Sequence, residues 1–146
     1  GHVIRVQIEN FPGTPLDARR LGRHIVNSPL FKCAVSGNDP NTGRLAAAIG
    51  SFMGKFKNDE VVDTMSLTLG GRVIFQDGKF VLDGIEEELS NHMEQAQLDE
   101  HADYPPHQRY VEIVVDFGSQ GGKSSATVLG SDLTREYIVV NADYRS

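Results

Sequence analysis

The sequence predicts an α+β fold in which about three helices pack against a mixed β-sheet. Two kinds of segment predict it: some have an apolar residue at every second position, and others have apolar residues three or four positions apart. Clusters of Gly, Pro, Asn and Asp stand between these segments, where turns and helix starts are expected. The chain has 146 residues, of which 39% are hydrophobic, so we expect a single domain over 1–146 with its own core.

A strand and a capped helix are predicted first. Apolar and polar residues alternate over 3–8, which is typical of a half-buried strand. Thr14 stands where a helix N-cap is expected, with Pro15 at the first helical position and Asp17 three residues after the cap. The predicted inward-facing residues of this helix are Leu16, Leu21 and Ile25.

A second strand and a second helix are predicted next. Residues 30–35 form a short apolar run, which we assign to a strand. In the turn that follows, Asp39 is the predicted N-cap and Pro40 the first residue of the helix. Ala46–Ala48 and Gly50 have so little side chain that another backbone can approach this helix closely. Its predicted apolar face consists of Leu45, Ala48, Ile49 and Phe52.

The second half of the chain is predicted to contain five strands and one helix. Gly70-Gly71 joins two of the strands, 65–69 and 72–76, in a tight hairpin. A helix over about 84–98 has an acidic outer face, and a loop follows at 102–108. The remaining strands are assigned to 110–117, 124–129 and 136–141.

Charge and cysteine content exclude several classes of function. Fourteen basic and twenty acidic residues give a net charge of −6, which argues against a nucleic-acid binder and against docking on anionic lipid. Arg19, Arg20 and Arg23 are interpreted as the solvated face of the first helix. The single cysteine, Cys33, rules out an internal disulfide and a Cys-based metal site, and its apolar surroundings predict a small core residue.

A glycine-rich stretch at 117–124 resembles a phosphate-binding loop in composition. That motif needs a Gly five residues before the Gly122-Lys123 pair, and Phe117 stands there instead. It also needs a helix to follow, so that the helix dipole faces the phosphate, whereas 126–129 is typical of a strand. We therefore interpret the stretch as a hairpin connection.

The histidines do not predict a metal site. His101 and His107 lie in an acidic loop, but no two histidines have the i, i+4 spacing that places both rings on one helix face. We interpret this loop as exposed and polar. Gly1 and His2 run directly into the first strand without an initiator Met, so they are either a cloning remnant or an internal stretch of a longer protein.

Two stretches resemble a known family. NSPLFK at 27–32 with GNDPNTGRLAAAIG at 37–50 is similar to the signature of the ornithine acetyltransferases, the bifunctional glutamate N-acetyltransferases of arginine biosynthesis. The chain end is similar to the same family in DFG at 116–118, SAT at 125–127, GSDLT at 130–134, Tyr137 and NADYRS at 141–146. The family usually has Trp at the position of Thr42 and often Thr at that of Cys33, and 84–108 resembles an insertion.

The resemblance implies that this chain is the C-terminal portion of the second chain of a self-cleaving precursor. In the family, the new N-terminal Thr of that second chain is the nucleophile and its α-amine can serve as general base. Acetyl passes from N-acetylornithine to the Thr and then to glutamate, in a ping-pong mechanism. The nucleophile, the oxyanion-hole residues and a substrate-binding Lys and Glu all align upstream of Val3, so no catalytic residue is expected here.

The same resemblance assigns two substrate-binding residues to this chain. Asn141 matches a motif Asn, and Ser146 matches the terminal hydroxyl residue that closes over the substrate. An amide and a hydroxyl each donate and accept hydrogen bonds, which suits the amino and carboxylate groups of an amino acid. Asp39, Asn41 and Arg44 are interpreted as structural residues of a helix start.

The implied partners are the upstream chain of the same precursor and the small molecules N-acetylornithine, glutamate, ornithine and N-acetylglutamate. We expect a heterotetramer or larger assembly in the cytoplasm, or in mitochondria if the source is eukaryotic, with no cofactor and no metal. Acyl transfer through a Thr needs positioning and an oxyanion hole. Two alternatives stay open: a non-catalytic domain of this fold that binds an amino acid or a protein partner, and a family member with altered acyl or amine specificity.

Overall fold

The computed structural model describes residues 1–56, 59–97 and 109–132. Six strands form one mixed sheet in the order β4-β3-β2-β5-β1-β6. The central strands β1 and β5 are parallel, and all the other neighbouring pairs are antiparallel. The strands are β1 (Val3–Phe11), β2 (Ser66–Leu69), β3 (Arg72–Gln76), β4 (Lys79–Phe80), β5 (Val111–Asp116) and β6 (Ser124–Ser131).

Four α-helices are present in the described residues, and with the mixed sheet they confirm the predicted α+β fold. α1 packs on β1 and β6, α3 packs on α1, and α2 packs on α3. The buried residues of β1, which are Ile4, Val6 and Ile8, alternate with half-buried ones and join a core shared by the sheet and the helices. The helices are α1 (Pro15–Val26), α2 (Pro29–Ser36), α3 (Thr42–Phe56) and α4 (Glu86–Gln95), and 3₁₀ turns lie at Asp59–Thr64 and Gly118–Gln120.

The predicted strand at 30–35 is wrong, because this segment belongs to helix α2. Its buried residues are Phe31, Ala34 and Val35, which have helical rather than alternating spacing, and Pro29 occupies the first helical position. A short apolar run fits either a buried strand or a buried helix, so periodicity could not decide between them. The helix also turns Cys33 outward, so the prediction of a core cysteine is wrong as well and the thiol is exposed.

The start of α1 follows the prediction, with one exception. The Asp17 backbone N–H donates to Thr14 Oγ1 at 3.1 Å, and the Asp17 side chain accepts from the Thr14 backbone N–H at 3.4 Å. This reciprocal pair is the predicted capping box. Leu16, however, is 52% exposed, because at 100° per residue it lies opposite the buried Leu21 and Ile25.

The two glycine-rich connections join their strands in different ways. Gly70 and Gly71 have positive φ angles of 60° and 82° and form the predicted tight hairpin between β2 and β3. The stretch at 117–124 leads into β6, so the rejection of a phosphate loop agrees with the structure. It is not a hairpin connection, because β1 lies between β5 and β6 in the sheet.

Several other predictions concern the remaining helices or fall on residues that are not described. α4 is shorter than predicted, and its acidic residues Glu86–Glu88 are exposed as expected. No helix within the described ranges is long and apolar enough to cross a membrane. The predicted loop at 102–108 and strand at 136–141, together with His101, lie outside the described residues.

Candidate functional site

The segment that resembles the family signature forms a tight turn between α2 and α3, and we call residues 37–44 the signature turn. Asn38 and Asn41 have positive φ angles of 57° and 31°. Asn is one of the few residues with a side chain that enters this region of backbone conformation readily. The turn thus depends on two asparagines at the positions where the chain reverses.

Hydrogen bonds inside the signature turn fix the start of α3. Asp39 Oδ1 accepts from the Asn41 backbone N–H at 3.0 Å, and Asn41 Oδ1 accepts from the Arg44 backbone N–H at 3.1 Å. Asn41 therefore performs the N-cap function that the sequence assigned to Asp39, and α3 begins at Thr42 instead of Pro40. Asp39 forms the preceding Asx turn, in which its side chain imitates a backbone carbonyl.

Arg44 ties the signature turn to the neighbouring helix. Its guanidinium Nη1 donates to the Leu30 backbone carbonyl at 2.8 Å, across the gap between α3 and α2. All the hydrogen bonds just described for Asp39, Asn41 and Arg44 are made to other groups of the protein. This agrees with the interpretation of these three residues as structural.

A buried polar cluster lies against the other side of the signature turn, and we call His2, Asn38, Met93 and Asp132 the His2 cluster. His2 Nδ1 lies 2.7 Å from Asp132 Oδ2, and the His2 backbone N–H donates to Asp132 Oδ1 at 2.8 Å. His2 Nε2 lies 2.7 Å from Asn38 Oδ1 and 3.1 Å from the Met93 carbonyl oxygen. His2 is 2% exposed and Asp132 is 7% exposed. The ring therefore joins the start of β1, the end of β6, the signature turn and α4.

The electrostatics of this cluster favour an ionised carboxylate. Burial alone would raise the pKa of Asp132, but hydrogen bonds from the His2 ring and backbone, with the charge of the ring, lower it below its usual value of 3.8. Both His2 ring nitrogens face oxygen atoms, Nδ1 that of Asp132 and Nε2 those of Asn38 and the Met93 carbonyl.

A surface pocket of about 410 Å³ opens beside the His2 cluster. His2, Asp132 and Gln97 contribute to its walls, and the exposed Cys33 thiol lines it too. The two His2 nitrogens are engaged by Asp132, Asn38 and Met93, so the ring is not available as a base for Cys33. The pocket can accept a small molecule, but its described residues do not form a nucleophile–base pair.

The prediction that Asn141 and Ser146 bind substrate concerns residues outside the described part of the chain. His107 lies outside it as well. The last described residue, Asp132, belongs to the His2 cluster and lines the pocket. Among the described residues, no group of three His, Cys, Asp or Glu side chains could hold a metal ion.

Sequence reasoning missed the pairing of His2 with Asp132. The two residues are 130 positions apart, and only the antiparallel pairing of Val3 with Ser131 brings them together. The available signal was weak: one ionisable residue directly before the first strand, and one directly after a strand that could pair with it. Without the strand order, neither position predicts the other.

Comparison with known proteins identifies the family. The family model described as the ArgJ family matches residues 1–146. The chain belongs to the ArgJ family. Membership confirms the resemblance that the signature turn and the chain end indicated.

Individual ArgJ-family relatives agree with this assignment. The arginine biosynthesis bifunctional protein ArgJ of Dehalococcoides mccartyi is 34% identical over 143 residues, which cover 97% of this chain and 30% of the relative. The glutamate N-acetyltransferase of Methanocaldococcus jannaschii is 37% identical over 132 residues, or 90% of this chain and 30% of the relative. The chain therefore spans about 30% of the length of the curated relatives it matches.

A solved ArgJ structure has the same fold. The crystal structure of the arginine biosynthesis bifunctional protein ArgJ from Bacillus halodurans superimposes with a TM-score of 0.73 at 23% sequence identity. The match covers 98% of this chain and 58% of that one. The α+β fold described above is therefore an ArgJ-type fold.

Proposed function

We propose that this chain is the C-terminal portion of the second chain of an acetyltransferase that moves acetyl from N-acetylornithine to glutamate. The observation that carries the proposal is the match of the ArgJ family over all of 1–146. The names of the relatives support the reaction class, since they include arginine biosynthesis bifunctional proteins and glutamate N-acetyltransferases. Residues 1–146 act in this scheme as one domain, which is consistent with the single sheet and the shared core.

The proposed chemistry uses a Thr nucleophile supplied by upstream polypeptide. Its hydroxyl attacks the acetyl carbonyl of N-acetylornithine, and its α-amine takes the hydroxyl proton. The α-ammonium then gives this proton to the leaving nitrogen as the C–N bond breaks, so ornithine leaves with a free amino group and acetyl stays on the Thr oxygen. The amino group of glutamate then attacks the acetyl-Thr ester, which releases N-acetylglutamate and restores the hydroxyl. Each acetyl group is held covalently between the two steps, so the kinetics are ping-pong.

This chain contributes part of the substrate pocket. Asn141 and Ser146 bind the amino and carboxylate groups of the substrate, for which an amide and a hydroxyl offer both donors and acceptors. The partner is the upstream chain of the same precursor, in a heterotetramer or larger assembly in the cytoplasm, or in mitochondria in a eukaryote.

Acetyl transfer by the complete enzyme tests the proposal. The enzyme is incubated with N-acetylornithine carrying a labelled acetyl group and with glutamate, and a reaction without the enzyme is the control. We expect labelled N-acetylglutamate and parallel lines in double-reciprocal plots at several glutamate concentrations. A protein that binds either amino acid without transferring acetyl would instead be a non-catalytic binding domain of this fold. Transfer only to a different amine would mean a family member with altered specificity.

A further inference from the structure

A second cavity, of about 430 Å³, lies where α1 ends, α2 begins and α3 passes beside them. The first stretch of the family signature, NSPLFK at 27–32, contributes Asn27, Ser28 and Pro29 to its wall, and α3 contributes Phe52. The signature turn lies at the other end of α2, about 12 Å away along a helix of eight residues. Each stretch of the signature therefore borders a cavity of its own.

Helix α1 gives this second cavity a basic wall. Arg20, Arg23, His24 and Asn27 line it, and their spacing of three or four residues places them on one face of the helix. Arg20 forms an ion pair with Asp17 at 3.3 Å, but among the described residues no Asp or Glu belongs to the lining itself. The cavity therefore carries positive charge in a protein whose net charge is −6.

Polar side chains around the second cavity lack partners within the protein. In the part of the chain that the structure describes, the side chains of Arg23, Asn27 and Ser28 make no hydrogen bond or ion pair, and the Ser28 hydroxyl does not cap α2. The His24 ring has no hydrogen bond there either, and its centroid lies 5.8 Å from that of Phe52. In the signature turn, by contrast, the Asp and Arg side chains are hydrogen-bonded to the protein. The donors around the second cavity are therefore available to a ligand.

The electrostatics of α1 explain only part of this arrangement. The C-terminal dipole of the helix favours the basic residues of its last turn. Arg20 and Arg23, however, are neighbours three residues apart, so their like charges repel each other. Two carbonyls at the end of α1, those of Arg23 and Ile25, accept backbone N–H groups at 2.9 and 3.2 Å. An anion in the cavity would offset the repulsion between the two guanidinium groups.

We propose that the second cavity binds a phosphate monoester, with the phosphate between Arg20 and Arg23 and the organic part against Phe52. A phosphate monoester carries a charge of about −1.5 to −2 near pH 7 and offers three acceptor oxygens. These match two guanidinium groups together with the amide of Asn27 and the hydroxyl of Ser28. A carboxylate has one charge and two oxygens, so it would use fewer of these donors. The volume of the cavity leaves room for the organic part, as in ordinary ligand pockets.

Calorimetric titration of the complete enzyme with adenosine 5′-monophosphate tests this proposal, and adenosine, which lacks the phosphate, is the control ligand. Arg23→Gln removes one guanidinium group. Arg19→Gln is the matched control variant, because Arg19 is an exposed residue of the same helix that does not line the cavity. Ser28→Ala removes a hydroxyl that makes no cap bond to α2, so the start of this helix should be kept.

We expect Arg23→Gln and Ser28→Ala each to weaken binding of the nucleotide about ten- to a hundredfold, since each loses a hydrogen bond to a charged group. Arg19→Gln should change the dissociation constant less than about twofold, because a distant exposed charge is screened by salt. Adenosine should not bind. Equal weakening by Arg23→Gln and Arg19→Gln would mean a general effect of surface charge and would overturn the site.

Three other results would overturn the proposal as well. If the complete enzyme does not bind the nucleotide, other polypeptide covers the cavity. Adenosine binding as tightly as the nucleotide would show that the phosphate is not recognised. Tighter binding of glutamate, with the same loss in Arg23→Gln, would mean a carboxylate site. The titration needs no acetyl transfer, so nucleotide binding as expected in a protein without transferase activity would reject only the proposed function.

Discussion

At the scale of single residues, the protein has buried ionisable side chains, and it has polar side chains for which we propose a role in substrate binding. His2 and Asp132 are buried and hydrogen-bonded to each other. The His92 ring accepts a hydrogen bond from the Glu112 backbone N–H. Asn141 and Ser146 are the residues to which the proposed function assigns substrate contact.

The side chain of Asn141 is predicted to contribute to substrate affinity. Asn141→Ala in the complete enzyme is expected to raise the KM for N-acetylornithine about ten- to a hundredfold, since a hydrogen bond to a charged group is worth about 1.5–3 kcal/mol. Steady-state kinetics measure this change, with Thr127→Ala as the control because Thr127 is an exposed residue of β6. Unchanged kinetics in the Asn141 variant would remove this residue from the site.

His92 is predicted to make stability depend on pH. Burial lowers the pKa of His92 below 6.5, and the nearby Glu112 carboxylate opposes this shift only in part. The neutral ring accepts the Glu112 backbone N–H at 3.1 Å through Nε2. The unfolded chain takes up a proton on His92 near pH 6.5, and the folded chain does so only at lower pH. The contribution of the neutral His92 ring to the free energy of unfolding is therefore complete above about pH 6.5 and is lost as the pH falls.

Urea unfolding at about pH 8 and about pH 5.5 checks this prediction. The free energy of unfolding of the wild type should fall more between these values than that of His92→Gln, which keeps an acceptor but does not titrate. The same pH dependence in both proteins would mean that His92 is not the responsible group.

At the scale of secondary-structure elements, two helical glycines have opposite surroundings. A Cβ added at Gly22 of α1 would lie 2.6 Å from Val128 Cγ2, because α1 packs closely on β6. A Cβ added at Gly50 of α3 would meet no heavy atom within 4 Å in the described residues. The same substitution should therefore have opposite effects at these two positions.

Gly50→Ala is predicted to stabilise this chain by about 0.5–1 kcal/mol, because Ala loses less backbone entropy in a helix than Gly does. Gly22→Ala is predicted to destabilise it by about 1–3 kcal/mol through overpacking against β6. Thermal or denaturant unfolding of the two variants checks both signs. Destabilisation by Gly50→Ala would show that α3 is covered on this face.

Local signals predicted some elements and failed for others. The alternation over 3–8, the capping box at Thr14 and the Gly70-Gly71 turn each concern neighbouring residues, and all three are confirmed. The run at 30–35 has too few residues to separate a helix from a strand by periodicity, so α2 was predicted as a strand.

At the scale of the whole molecule, the order of strands in the sheet determines contacts between distant segments, which no local sequence pattern predicts. β1 lies between β5 and β6, so the connection at 117–124 passes the end of a strand instead of forming a hairpin. The same order brings His2 and Asp132 together from the two ends of the described chain. The sequence resemblance supplied the family, but the cluster beneath the signature turn depends on pairing between distant segments.

The relation of this chain to its relatives also belongs to this scale. It matches about 30% of the length of the ArgJ relatives, and the proposed nucleophile belongs to polypeptide upstream of it. The proposed substrate binding by this chain and the proposed acetyl transfer by the complete enzyme can therefore be tested separately.

The intact mass of the complete enzyme after incubation with N-acetylornithine alone tests the central claim most directly. Without glutamate the second step cannot occur, so a ping-pong enzyme accumulates its acetylated form. We predict one added acetyl group on the chain that begins with Thr, release of ornithine, and loss of the acetyl group when glutamate is added. Binding of N-acetylornithine without an acetylated chain and without released ornithine would contradict the account.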